Sequence, residues 1–102
     1  MGSRLEFQSE LETILGTRNV YFQPPESVKL IYPCIVYKKS DINISHADDR
    51  IYTIKKRYAV TVIDRNPDSS IVIDILAKIP LANYDRQYAA NNLNHDVCTI
   101  YY

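Results

Sequence analysis

The chain has 102 residues, 46% hydrophobic and 24% charged, with twelve basic and twelve acidic side chains that cancel to a net charge of zero. That is one domain's worth of sequence. The charge balance excludes a nucleic-acid binder held by bulk charge and an acidic disordered tail. No apolar run approaches the roughly 20 residues that a bilayer crossing needs, and the residues after Met1-Gly2-Ser3-Arg4 read as an amphipathic stretch rather than a signal peptide.

The opening segment predicts a helix over 3–15. Ser3 is placed to cap it, with Glu6 three residues on. Phe7, Leu11, Ile14 and Leu15 recur on one helical face, and Gly16 supplies the stop. Asn19 to Phe22 reads as a short strand, broken by Pro24 and Pro25, which have no backbone donor to offer a ladder. Leu30 to Lys38 reads as a strand apolar on both faces, with Pro33 suggesting an edge or a bulge. Ser40 to Arg50 is polar and reads as a long hairpin loop. Tyr52 to Asp64 then carries the clearest alternation. Tyr52, Ile54, Tyr58, Val60 and Val62 share one face, and Thr53, Lys55, Arg57 and Thr61 the other.

Asp64 to Asp68 reads as a turn. A second helix is expected over 70–78, capped by Ser69 or Ser70, with Val72, Ile75, Leu76 and Ile79 at helical spacing and Pro80 ending it. Leu81 to Tyr88 reads as extended, Ala89 to Asn94 as a turn cluster, and His95 to Tyr102 as a last strand apolar on both faces. The expectation is a single α+β domain over 1–102, a mostly antiparallel sheet of four to five strands with two short helices, in the order α-β-β-β-α-β-β.

Chemistry-bearing clusters are sparse. His46 with Asp48 and Asp49, or His95 with Asp96 and Cys98, match no paired-ligand metal spacing. On a strand, His95 and Asp96 point to opposite faces. Cys34 and Cys98 sit in apolar runs, where a buried thiol is inert, and two such reduced thiols suit a chain made and used inside a cell. With two glycines there is no Gly-rich phosphate loop and no nucleophile elbow. No catalytic site, metal or cofactor is expected, and an enzyme would need a pocket joining His95, Asp96 and Asp85. Lys55, Lys56 and Arg57, with Tyr52 and Tyr58 nearby and Lys38-Lys39 on the neighbouring strand, form the best nucleic-acid patch. Its simpler role is a charged outer face that guards the sheet against edge pairing.

The stronger signal is uncovered surface. Two short helices can cover one sheet face, whereas strands 30–37 and 95–102 are apolar on both. The leftover Ile- and Tyr-rich surface predicts a protein–protein interface. That expectation falls on Ile31, Ile35, Tyr37, Ile42, Ile44, His46, Ile100, Tyr101 and Tyr102.

A leading helix precedes Tyr32-Pro33-Cys34-Ile35-Val36-Tyr37. A long hairpin leads to Tyr58-Ala59-Val60-Thr61-Val62-Ile63-Asp64, a short second helix follows, and the chain closes with Asn94-His95-Asp96-Val97-Cys98-Thr99-Ile100-Tyr101-Tyr102. Over residues 5–102 this arrangement resembles the small tail terminator and tail-completion proteins of long-tailed bacteriophages. The resemblance implies a non-enzymatic structural protein of the virion tail and neck, assembled in the host bacterial cytoplasm. It implies a homo-oligomer, a hexameric ring, set between the tail tube protein and the head-completion or neck proteins. Such a ring stops tube growth, offers a docking surface to the head and lets genomic DNA pass without sequence-specific binding, and no membrane is involved. The rival readings are another head–tail joining protein, a small nucleic-acid-binding module using Lys55, Lys56 and Arg57, and a small enzyme.

Overall fold

A computed structural model describes residues 3–47 and 50–102, with side chains described outside 41–55. Helix α1 (Arg4–Leu15) begins where the Ser3 hydroxyl accepts the Glu6 N–H at 3.1 Å. It ends at Gly16, whose φ of 84° is the left-handed conformation that closes the last turn onto the Glu12 carbonyl. Strands β1 (Val20–Phe22), β2 (Cys34–Ala47) and β3 (Arg50–Asp64) follow, then α2 (Ile71–Lys78), β4 (Ala82–Ala90) and β5 (Leu93–Tyr101). The fold is the expected α+β arrangement in the expected element order. One five-stranded sheet runs β1-β2-β3-β5-β4, antiparallel throughout except for the parallel β1–β2 pair.

The register decides the two faces. Ile35 lies opposite Val62, and Val62 opposite Asp96; Tyr37 lies opposite Val60, and Val60 opposite Cys98; Tyr58 lies opposite Ile100. All eight neighbours share one face, and the apolar ones among them join Phe7, Leu11, Val72, Ile75 and Ile79 in a single buried cluster. Both helices therefore pack on the same side of the sheet. Phe7 is the hub. Its ring centroid lies 4.7 Å from Tyr58, 4.8 Å from Tyr102 and 5.4 Å, edge-on, from Tyr37, spacings at which aromatic pairs attract beyond their area burial. Two of these hydroxyls are bonded: Tyr37 donates to Gln8 Oε1 and Tyr102 donates to Glu10 Oε2 at 2.6 Å.

Three expectations change. The strand expected over 30–38 starts only at Cys34, after the cis Tyr32–Pro33 peptide. The turn cluster expected over 89–94 shrinks to Asn91-Asn92, with φ of 53° and 61°, the two-residue geometry that matches strand twist and that Asn tolerates. The largest correction concerns 40–50. Instead of a loop, Asp41 to Ala47 pairs with Arg50 to Arg57, with register shifts at Lys39/Asp41 and Ser45/His46. Its polar composition marks a strand pair outside the core rather than an unpaired segment.

Candidate functional site

The β2–β3 hairpin outruns the sheet. β1 pairs with β2 only up to Tyr37, and β5 pairs with β3 from Arg57 onward, with Tyr102 bonded to Lys56 one step beyond. Among the described residues, 42–47 and 50–55 continue as a paired arm with no further strand paired to either one. Six paired residues on β2, Ile42 to Ala47, at about 3.3 Å each make it roughly 20 Å long. The molecule measures 51 × 28 × 23 Å. Its radius of gyration, 14.5 Å, exceeds the roughly 13 Å of a compact chain this long.

The second feature is the sheet face turned away from the helices. Val36, Thr61 and Val97 lie abreast across β2, β3 and β5, flanked by the row Lys38, Ala59 and Thr99. Apart from exposed Lys38 these residues are half-buried, and no helix crosses them. Toward the β4 side His95 stacks on Tyr88 with centroids 4.7 Å apart, and the Arg86 guanidinium sits 5.8 Å from the Tyr88 ring. At the other edge Gln23 and Pro24 rise beside Val36, Lys38 and Thr61 to wall a groove of about 520 Å³. This face is a broad, mixed apolar and polar plate, the kind of surface that partner proteins cover.

The expected interface residues divide. Ile31 is 61% exposed, in the segment before β2, and Tyr101 is half-buried at the sheet's outer face. Ile35, Tyr37 and Ile100, however, are fully buried beneath the helices and cannot meet a partner in this fold. The sequence made their strands look two-sided, but Ile35 and Tyr37 on β2 and Ile100 on β5 point to the helix side, while Val36, Val97 and Thr99 between them point to the other. Tyr102 packs on the core and is tied to Glu10. Ile42, Ile44 and His46 lie on the arm, and their side chains fall outside the described ones.

The other candidate sites separate as well. Lys55 is outside the described side chains, Lys56 is half-buried, and Arg57 donates from Nε to Ser40 at 3.1 Å. Asp48 and Asp49 fall outside the described residues. His95 faces the open side, while Asp96 and Cys98 face the helices, so those three do not converge. Asp85 accepts a bond from Thr99 at 2.7 Å on the open side, away from Asp96. Among the described residues no three His, Cys, Asp or Glu side chains gather as metal ligands. Burial pushes the Cys34 thiol up to about 11. Burial, then the nearby Asp85 and Asp96 charges, pushes Cys98 up to about 12. Both thiols stay protonated near neutrality and are poor nucleophiles.

No known protein-family model matches the chain, and no curated protein is significantly similar to it. Sequence reasoning missed the arm, although its signal was present: Ile42, Ile44 and His46 alternate with Asp41, Asn43 and Ser45 at a strand's period.

Proposed function

We propose that this protein is a structural virion assembly protein, a ring subunit at the head–tail interface of a long-tailed bacteriophage. In this reading it terminates the tail tube and provides the surface on which head-completion or neck proteins dock. The observation that carries the reading is the paired β2–β3 arm. A two-stranded ribbon without flanking strands adds little to its own domain's stability, which suits a segment that is completed by a neighbour. The open sheet face supplies a second, different surface, and a ring requires two unlike surfaces that close on themselves by rotation. A ring subunit held by such contacts needs no metal, cofactor or nucleophile, and DNA passing through its lumen is neither gripped nor read.

The test is native mass by light scattering, with negative-stain images of the same sample and of the sample mixed with purified tail tubes. The expected particle is a closed ring of about 71 kDa, six times the chain's 11.8 kDa, that caps tube ends. A monomer that stays a monomer and leaves tube length unchanged would overturn the reading.

A further inference from the structure

Among the described residues, one charged side chain is buried. Asp96, on the helix-facing side of β5, is only 7% exposed and accepts a bond from the Tyr84 hydroxyl at 3.0 Å. It lines an open groove of about 550 Å³ between α2 and β4. The helix wall is apolar, made by Val72, Ile73 and Leu76, and Ile73 is 63% exposed, a large aliphatic side chain left uncovered. Asp68 stands at the turn that leads into α2, exposed to solvent. Among the described residues lining the groove two are acidic and none is basic. Beside it runs β4, an edge strand whose residues from Asn83 to Ala90 are all exposed.

An apolar wall leading down to a carboxylate matches one kind of side chain. A lysine stem lies along aliphatic surface while its ammonium reaches an acid at the end, and the bond formed there is charge-assisted. The same chain carries the complement. Lys38, Lys39 and Lys56 lie at the base of the β2–β3 arm, the first two exposed. Along β3 that base lies at the Tyr58 end, while Asp96 lies opposite Val62, toward the other end. Acidic groove and basic arm base are thus two separate, unlike patches on one subunit, as a head-to-tail contact between identical subunits uses.

We propose that the groove between α2 and β4 seats a lysine from the arm base of a second copy of this chain, with the ammonium on the Asp96 and Asp68 carboxylates. This inference rests on the ring-subunit reading and names the contact that closes the ring. The edge of β4 lies beside the seat, where the incoming strand adds backbone pairing.

The test is charge reversal and rescue in the full chain, read as the concentration at which light scattering shows half-assembly. Asp68→Lys, on the exposed turn, is expected to raise that concentration by about tenfold or more, as is Lys38→Glu combined with Lys39→Glu. Joining the two sets is expected to restore assembly to near the original value. Asp96→Asn keeps the side chain's shape and its acceptor for Tyr84, and is expected to weaken assembly and flatten its salt dependence; if it does not fold, Asp68→Lys carries the test alone. Rings that form equally well in both reversal sets overturn the contact while leaving the ring reading standing. Reversals that weaken assembly without mutual rescue also overturn it. So does a variant that self-assembles normally but no longer binds tubes, which would give the groove to another protein. A wild-type chain that never assembles overturns both.

Discussion

Phe7 touches three tyrosines from three parts of the chain: Tyr37 on β2, Tyr58 on β3 and the near-terminal Tyr102. Removing its ring leaves a cavity where α1 meets the sheet. Phe7→Ala is expected to lose about 3–5 kcal/mol, a large share of the roughly 5–15 kcal/mol available to a domain of this kind. A urea titration followed by circular dichroism checks it, and a midpoint unchanged from wild type would mean that α1 does not depend on this ring. The two thiols give a prediction with a definite sign. Cys34 is pushed to about 11 and Cys98 to about 12, above their ordinary value of 9.0. Above pH 9 an unfolded chain releases these protons while the folded chain keeps them, so the contribution of the buried neutral thiols is full below pH 9 and fades as pH rises through about 11. The urea midpoint is therefore expected to hold from pH 7 to pH 8.5 and to fall by pH 10.5. A maleimide reagent at pH 7.5 is expected to label neither cysteine until urea is added.

At the scale of elements, what could be read from the sequence was what the core controls. α1 was legible because its cap, its apolar spacing and its glycine stop agree, and β3 because its alternation continues to Asp64. α2 emerged within a residue of expectation although its β-branched residues are mediocre helix formers. Long-range pairing was not legible. That β1 joins β2 in parallel, and that both helices choose the same face, follow from contacts far apart in sequence. The misreading of 40–50 has a physical cause, since polarity was taken as a sign of missing pairing. Beyond the flanking strands, Asp41 to Ala47 is paired in a ladder with β3, which a polar sequence can form as well as an apolar one. The consequence is testable. Replacing 42–55 with an Asn-Gly turn leaves every residue of the described core cluster in place, and the melting temperature is expected to move by less than about 4 °C, the shift of 1 kcal/mol in a domain of this size. Assembly and tube capping are expected to be lost. A shortened chain that still capped tubes would remove the arm from the mechanism.

At the scale of the whole molecule, two layers make a one-sided protein. The helices seal one face with aromatic and aliphatic side chains, and the other face presents Val36, Thr61 and Val97 abreast, half-buried and, among the described residues, crossed by no helix. A monomer that worked alone would gain by covering this plate or by making it uniformly charged. The chain instead places its charges around the plate, Lys38 on one side and Asp85 and Arg86 on the other, a polar rim around a less polar centre. Thr61 is the position at which the two uses part. In the monomer a lysine there has room to extend over the strand surface, so Thr61→Lys is expected to fold normally, within about 0.5 kcal/mol of wild type. In an assembly that covers the plate, the same ammonium is stripped of water between Val36 and Val97 with no acid in register to receive it, which disfavours the complex strongly. The expected result is an unchanged melting curve together with a native mass reduced to that of the monomer. If Thr61→Lys still forms rings, the plate faces solvent or lumen in the assembled particle, and the contacts that close the ring lie in the arm and the α2–β4 groove alone.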